Sequence, residues 1–279
     1  MKITLLTVKY TAMVLIALIC LFPVIWMILG SLRPYQELFK YASGLNIHML
    51  IPVDFTFSNY GKVIFNETNP FFRYIGNTLF VAATVTVAVL IINAMAAFAF
   101  AKLRFRGKNL VFILFMSAMV IPGEVTLVPN YLTMHYLNWL NSYEALIIPS
   151  MLSVFGIFLL RQFFADIPNE IMEAARIDGA SIPRAFMSIV LPAAVPALVT
   201  LGLMTFLGNW DSYLWPLIVI NDNAKQMIQV AIASFSSTEG TDWSKILAAS
   251  TISTLPILIL FLFLQRYYIQ GIAMSGIKG

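Results

Sequence analysis

Six stretches of apolar sequence, each long enough to cross a lipid bilayer, constrain this chain more than any other feature. A hydrocarbon core about 30 Å thick is crossed by about 20 helical residues. The stretches are residues 11–29, 76–101, 110–132, 143–160, 193–220 and 246–264. Only Glu124, Glu144 and Asp211 place a charge inside them. The pattern predicts an all-α integral membrane protein with six transmembrane helices in a single domain over residues 1–279.

The composition agrees with a chain that faces lipid. Only 11% of its residues are charged and 60% are hydrophobic, whereas a soluble domain carries about 25% charged residues. The net charge of +4 does not indicate a nucleic-acid partner. Cys20 is the only cysteine, and His48 and His135 lie in different predicted loops. We therefore expect neither a disulfide nor a metal site.

The basic residues indicate the orientation of the chain. If the N-terminus is cytoplasmic, eleven of the 17 basic residues lie inside and six outside. The inner ones are Lys2, Lys9, Lys102, Arg104, Arg106, Lys108, Arg161, Arg176, Arg184, Arg266 and Lys278. The outer ones are Arg33, Lys40, Lys62, Arg73, Lys225 and Lys245. Because positive charge concentrates in short cytoplasmic loops, we predict that both termini are cytoplasmic and that the first stretch is an uncleaved anchor.

The polar segment 161–192 separates the fourth stretch from the fifth. Ile167-Pro168-Asn169 predicts the start of a helix, because proline is tolerated in a first turn and the following Glu170 is favoured there by the helix dipole. Gly179 predicts the end of that helix, since glycine readily adopts the left-handed conformation that closes helices. We therefore expect a short cytoplasmic helix in this segment.

A second helix is predicted directly after the first. Ser181 is a favoured N-cap residue, Pro183 fits the first turn, and Pro192 would stop the helix. The two helices would form an elbow in the cytoplasm. Ala174-Ala175 would make the first helix thin on one side, so that another protein could approach closely. The alternative is an amphipathic loop that faces only water.

The same segment carries a pattern that resembles a known family. The pattern consists of Glu173-Ala174-Ala175, Asp178-Gly179-Ala180, Phe186, Ile189 and Leu191-Pro192. It resembles the EAA loop of ABC-importer permeases. Residues 167–171, 209–217 and 271–279 are in addition similar to the second permease of maltose-type carbohydrate importers.

The resemblance implies that the elbow is a coupling helix, which docks in a cleft of a cytoplasmic ATPase subunit. The residues that it assigns to ATPase coupling are Glu173, Ala174, Ala175, Asp178, Gly179, Ala180, Phe186, Leu191 and Pro192. The tail of Gly276, Ile277, Lys278 and Gly279 would also touch the ATPase pair. Closure of the ATPase dimer would switch the transmembrane cavity between inward-facing and outward-facing states.

The resemblance also implies a set of partners. These are a second, different permease, two ATPase subunits, an extracellular or periplasmic sugar-binding protein and the lipid bilayer. ATP and Mg would be bound by the ATPase subunits, because this chain has no phosphate-binding Gly-x-x-x-x-Gly-Lys-[Ser/Thr] loop. We expect a multi-pass protein of the inner or plasma membrane with no cofactor and no enzymatic activity of its own. The expected substrate is a di- or oligosaccharide, with a polyol or a glycerol-phosphate-like molecule as the alternatives.

Six polar or aromatic residues are candidates for the substrate pathway: Asn209, Trp210, Asp211, Tyr213, Glu124 and Asn93. Asp211 falls near mid-membrane, where a carboxylate must face a cavity or a partner. The aromatic rings beside it could stack on sugar rings, and Asn209 and Asp211 could bond sugar hydroxyls. Glu124 follows Pro122-Gly123, which predicts a broken helix. The alternatives are that Tyr213 packs, that the Glu124 carboxylate extends outward to water, and that Asn93 bonds within the helix bundle.

Two other classes of protein compete with an importer permease. An ion-coupled secondary transporter would require inverted repeats and paired ionisable groups at mid-membrane. The sequence shows no clear repeat and one central acid, Asp211. An intramembrane enzyme would require facing carboxylates or clustered metal ligands, and the apolar stretches contain neither pattern.

Overall fold

The computed structural model describes residues 2–41, 47–66, 70–237 and 240–275, and within these ranges it describes side chains from residue 6 to residue 265. The α-helices of these residues are α1 (Lys2–Ser31), α2 (Tyr35–Lys40), α3 (Ser58–Ile64), α4 (Phe71–Lys102), α5 (Lys108–Ser117), α6 (Gly123–Tyr136), α7 (Tyr143–Ile147), α8 (Val154–Asp166), α9 (Asn169–Ile177), α10 (Ile182–Ala185), α11 (Leu191–Ala193), α12 (Val195–Trp210), α13 (Leu214–Val219), α14 (Ile228–Ala233) and α15 (Trp243–Ser275). Short 3-10 turns occupy Ile47–Met49, Ala118–Val120, Ile148–Ser150 and Asn223–Lys225, and a π-helical turn spans Phe186–Val190. Strands β1 (Ser236–Ser237) and β2 (Gly240–Thr241) pair antiparallel, with Ser236 opposite Thr241.

The apolar stretches form three continuous and three bent helical segments. Apolar segments of α1, α4 and α15, namely Leu6–Ser31, Phe71–Lys102 and Trp243–Gln265, are each long enough to cross a membrane without a break. Three further segments pass the same test only as pairs, bent by 99° between α5 and α6, by 40° between α7 and α8, and by 78° before α12. The described residues therefore contain three candidate spans, or up to six if each bent pair is one span.

The sharpest bend lies where the sequence predicts a break in the third stretch. Pro122 is the N-cap of α6, and the Ile121 before it is extended, with φ −78° and ψ 117°. A proline ring disfavours the helical conformation of the preceding residue, which accounts for the 99° bend. Pro129, in contrast, lies inside α6 without ending it.

Residues Met1–Ile75 and Val230–Ile257 form one compact unit. No residue in the most apolar part of α1 is buried against the rest of the described chain. The C-terminal end of α1, in contrast, is held by polar contacts. The buried amide of Asn59 donates to the carbonyls of Ser31 (2.8 Å) and Arg33 (2.7 Å). The Ser31 hydroxyl lies 2.6 Å from the hydroxyl of Tyr60. The segment between the first two apolar stretches is therefore folded, with α2 and α3 closing over the end of α1.

Two buried charged residues, Arg33 and Glu37, lie in the same segment. Glu37 accepts hydrogen bonds from the backbone N–H groups of Val53 (2.7 Å) and Asp54 (3.0 Å). Arg33 is also buried. Burial lowers the pKa of the Arg33 guanidinium, and the charge of Glu37 opposes this effect. The Glu37 carboxylate thus supports both the loop and the buried cation.

Residues Gly76–Gln229, with Leu258–Gly279, form the second compact unit. Its core contains Val85 and Ala97 of α4, Leu160 and Phe164 of α8, and Leu201 of α12. Small residues let membrane helices approach closely. One close approach is at Gly156 of α8, where an added Cβ would lie 2.7 Å from Nδ2 of Asn93 on α4 and 3.0 Å from a methyl group of Leu201.

Candidate functional site

The polar segment between α8 and α12 folds into an elbow, as the sequence predicts. The expected stop at Pro192 is wrong, because helical residues continue through Pro192 to Ala193 and the break follows at Ala194. The first helix of the elbow, α9, begins directly after Pro168 and ends at Ile177, two residues before Gly179. Gly179 has φ +79°, in the left-handed region. A side chain at Gly179 would be strained by that backbone conformation alone, and not by crowding, because a Cβ there meets nothing within 4 Å among the described atoms.

Two backbone hydrogen bonds close the C-terminal end of α9. The N–H of Ala180 donates to the carbonyl of Ala175 at 2.9 Å, and the N–H of Gly179 donates to the carbonyl of Arg176 at 3.1 Å. This pair of bonds is the Schellman motif. The turn is therefore fixed by the local sequence, as the predicted helix end at Gly179 requires.

The exposed surface of the elbow is partly apolar. Ile177, at the end of α9, is 85% exposed, and Glu173, Ala174 and Asp178 are exposed beside it. Ala175 is only 9% exposed. The expected thin face made by both alanines is therefore wrong for Ala175, which points toward its own chain because it lies one helical position from Ala174. Among the large apolar side chains of residues 161–192, that of Ile177 is the most exposed.

The second helix of the elbow is held against the bundle. It begins after Ser181, as predicted, but the Ser181 side chain makes no capping hydrogen bond within the described residues. Phe186 and Val190 are buried, and the ring of Phe186 lies 4.9 Å from that of Phe98 on α4. The Phe186 side chain therefore anchors the elbow, and any role in coupling to an ATPase would act through this packing.

Three cations tie the helix ends around the elbow. Lys102, at the end of α4, donates to the carbonyl of Ile167 and to Oδ1 of Asn169 (3.1 Å). Lys108, at the start of α5, donates to two carbonyls at the end of α4, at 3.0 and 3.3 Å. The guanidinium of Arg161 on α8 lies 4.1 Å above the ring centroid of Phe112 on α5. These three basic residues, which the sequence indicates only as signals of orientation, thus make specific contacts.

A cleft of about 610 Å³ separates the 102–108 loop from the elbow. Lys102, Arg104 and Lys108 line one wall, and Glu173 and Arg176 line the other. The Lys102 ammonium is a polar contact that crosses from one wall to the other.

Asp211 lies at a break between α12 and α13. It is the C-cap residue of α12, and its side chain is exposed in this chain. The side-chain amide of Gln229 donates to Asp211 Oδ1 at 3.2 Å. Tyr213 is exposed in the same break, and the Asn209 amide donates to the carbonyl of Thr205 at 2.8 Å within α12. Asp211 and Tyr213 are therefore available to a ligand.

The two tryptophans of the same region are used for packing. Trp210 is 0% exposed and stacks on Phe206, with ring centroids 5.7 Å apart. The indole N–H of Trp215 donates to the carbonyl of Ala145 at 2.9 Å. Neither contact leaves the whole ring free, so stacking of the predicted Trp210 on a sugar would require a different packing of α12.

The other two substrate candidates lie on different helices. Glu124 is exposed in the first turn of α6. Asn93 is fully buried in α4, where its Oδ1 accepts from the N–H of Ser153 at 3.4 Å. Its Nδ2 has no hydrogen-bond partner among the described residues. No hydrogen bond of the described part joins any two of the six predicted pathway residues, and the predicted tail Gly276–Gly279 lies outside the described residues.

The arrangement of broken membrane helices around an exposed elbow is that of an importer permease, and comparison with known proteins gives the family. The chain belongs to the family of inner-membrane components of binding-protein-dependent transport systems, whose profile matches residues 91–274. It is therefore a multi-pass membrane protein, and its resemblance to ABC-importer permeases is confirmed.

Particular relatives cover almost the whole chain. The arabinooligosaccharides transport system permease AraQ of Halalkalibacterium halodurans is 33% identical over 95% of this chain and 93% of its own. The trehalose/maltose transport system permease MalG of Thermococcus litoralis is 31% identical over 95% and 94%. The sn-glycerol-3-phosphate transport system permease UgpE of Yersinia pestis is 35% identical over 75% of each chain. A solved chain from a bacterial ABC transporter that imports the acidic polysaccharide alginate superposes with a TM-score of 0.80 and 25% identity, over 94% of this chain and 95% of that one.

Two residues of the site were missed by the analysis of the sequence. Gln229 is a single polar residue in the apolar run Met227-Ile228-Gln229-Val230, and that isolation is a signal that could have found it. Ile177 follows Arg176 and precedes Asp178. An isoleucine between two charged residues in a predicted cytoplasmic helix is a comparable signal.

Proposed function

We propose that this chain is the transmembrane permease subunit of an ATP-driven importer for carbohydrates. In this proposal the chain is one domain with six spans, both termini are cytoplasmic, and the elbow formed by α9 and α10 couples ATPase closure to alternating access. The predicted coupling residues Glu173, Ala174, Asp178 and Gly179 form the exposed part of the elbow, and Ala175, Phe186 and Leu191 hold it in shape.

The exposure of Ile177 carries the proposal. Its side chain is 85% exposed at the point where α9 ends in the left-handed turn at Gly179. Leaving such a side chain in water forgoes about 1.5–3 kcal/mol of burial energy. A groove on an ATPase subunit would recover this energy, and the family relationship makes that subunit the expected occupant.

The partners in this proposal are a second, different permease, two ATPase subunits and an extracellular or periplasmic binding protein. ATP and Mg are bound by the ATPase subunits, and this chain performs no chemistry. In this proposal the neighbouring permease covers exposed apolar side chains of α6, namely Val125, Val128 and Tyr136. The bilayer covers the remaining apolar surface, including α1.

The substrate is proposed to be a neutral di- or oligosaccharide. Relatives are named for arabinooligosaccharides, trehalose and maltose, and glycerol 3-phosphate. The exposed ionisable candidates here, Asp211 and Glu124, are both acidic. A carboxylate accepts hydrogen bonds from sugar hydroxyls but repels a phosphate, so the charge of this pathway favours a neutral sugar. Asn209, Tyr213 and Gln229 would supply further polar contacts near Asp211.

Isolation of the native complex tests the proposal. The tagged chain is purified from native membranes in mild detergent, and the co-purifying proteins and their ATPase activity are identified. We expect an ATPase and a second, different permease. Recovery of this chain alone, or with copies of itself only, would contradict the proposal and favour an ion-coupled transporter.

A matched pair of glycine variants tests the role of the elbow. Gly179 and Gly107 have nearly the same φ, +79° and +78°, and a Cβ at either meets nothing within 4 Å among the described atoms. Gly179→Asp and Gly107→Asp therefore introduce the same strain and charge into two different loops. We expect only Gly179→Asp to lose the ATPase subunits and sugar uptake while remaining inserted. Equal uptake by the two variants would refute the coupling assignment.

A further inference from the structure

We propose that Lys102 is a positioning residue, which carries the movement of the elbow to α4. This inference rests on the proposed coupling function and adds a mechanical link to it. The link is the ammonium group at the last residue of α4. Its two acceptors, Ile167 and Asn169, lie on either side of Pro168, at the joint between α8 and α9.

The joint between α8 and α9 requires such a partner. Ile167 is the C-cap of α8, and Pro168 has no N–H with which to continue a helix. The Ile167 carbonyl therefore lies at the negative end of the α8 dipole, and the residue that follows it offers no N–H. A cation at this position is favoured both by the dipole and by a charge-assisted hydrogen bond. Lys102 supplies it from a different helix.

The α4 end of the link is itself fixed. Lys108 donates to the carbonyls of Ala101 and Leu103, which flank Lys102. The ring of Phe100, two residues before Lys102, packs edge-on against that of Phe112, with ring centroids 5.4 Å apart. A displacement of the start of α9 is therefore transmitted to a helix end that is itself held by these contacts.

The polar link differs from the other contact between the elbow and α4. The ring centroids of Phe98 and Phe186 lie 4.9 Å apart. This contact is apolar, and an apolar contact is non-directional and tolerates sliding. The Lys102 bonds are directional and fix the start of α9, the helix that carries the exposed Ile177. Loss of Lys102 should therefore leave the elbow attached and folded but release α9 from α4.

Arg104 provides a matched control. It lies two residues after Lys102, lines the same cleft and carries the same charge. Its side chain is exposed and makes no hydrogen bond or ion pair with any residue whose side chain is described. Lys102→Met and Arg104→Met thus remove the same charge from one loop, but only the first removes the link. Lys102→Arg restores both the charge and the donors.

The experiment uses the complete complex purified through a tag on this chain, with Cys20→Ser as the background. A fluorescent thiol label at Ile177→Cys reports docking of the elbow, and one at Met95→Cys, on an exposed position of α4, reports movement of that helix. Both signals are recorded without nucleotide and with Mg-ATP plus vanadate. ATPase activity is measured on the same samples.

We expect the wild-type background, Arg104→Met and Lys102→Arg to respond at both labels. We expect Lys102→Met to keep the response at position 177 and its ATPase activity, and to lose the response at position 95. A response at both labels in Lys102→Met would overturn the inference. Loss of both would overturn it as well, because Lys102 would then serve folding or docking. If the background protein responds at neither label, the proposed coupling function itself fails.

Discussion

Replacement of Gly156 by alanine is the sharpest test of how the helices of the second unit pack. The added Cβ would lie 2.7 Å from Asn93 Nδ2 and 3.0 and 3.1 Å from the two methyl groups of Leu201. Because normal contacts are about 3.5–4.0 Å, these atoms must move by roughly 0.5–1 Å. Overpacking of this kind costs about 1–3 kcal/mol. We expect Gly156→Ala to lower the free energy of unfolding by that amount, relative to a control that gains only helix propensity.

Gly208→Ala is the control. Gly208 also lies inside a helix, α12, and a Cβ there meets nothing within 4 Å among the described atoms. Both variants gain the same helix propensity, about 1 kcal/mol. The difference between their free energies of unfolding therefore gives the cost of overpacking. The measurement is the unfolding midpoint in a denaturant titration of the purified protein in mild detergent. Equal midpoints would refute the packing argument. So would a double-mutant cycle in which Gly156→Ala costs as much stability in the Leu201→Ala background as in the wild type.

Three further predictions concern contacts outside the elbow. Asn77→Leu should destabilise the 219–226 segment by about 1–3 kcal/mol, because the Asn77 amide donates to two carbonyls of that segment at 3.0 Å each; proteolysis of the loop would report it, and unchanged resistance would contradict it. Trp210→Ala should cost about 3–5 kcal/mol through loss of its packing on Phe206, whereas Trp210→Phe should keep both stability and uptake; loss of uptake by a stable Trp210→Phe would show that the indole contacts substrate. Glu37→Ala should destabilise the first unit by about 1–3 kcal/mol, since it removes the acceptor of two backbone N–H groups; a thermal unfolding midpoint equal to that of Lys40→Ala, an exposed control, would be the contrary result.

The sequence was most informative where structure depends on neighbouring residues. The break at Pro122 and the helix end at Gly179 follow from local preferences, and both are found in the structure. Of the six apolar stretches, three are continuous candidate spans among the described residues, and the number reaches six only if each bent helix pair is one span. The ends of the helices were less predictable, since α4 begins five residues before the predicted stretch at residue 76. Helices extend beyond the bilayer, and hydropathy detects only the part inside it.

Contacts between distant residues could not be obtained from local patterns. Asn59 caps the end of α1 from 26 and 28 residues away, and this pairing folds a segment in which the sequence indicated no element. Lys102 counted only as an orientation signal, although its partner carbonyl lies 65 residues further along the chain. Trp210 was predicted beside a sugar because its neighbours are polar, but its own ring is fully buried on Phe206.

The Schellman turn of the elbow has a consequence for how the protein is made. Its closing bonds join Asp178 to Ala174, Gly179 to Arg176 and Ala180 to Ala175, so each spans no more than five residues. Such bonds form in the time of local helix formation and do not wait for distant parts of the chain. During synthesis, the turn of the elbow can therefore form once residue 180 has left the ribosome, before α15 has been translated. Quality control that recognises an unassembled subunit would then meet a finished contact surface on an unfinished membrane domain.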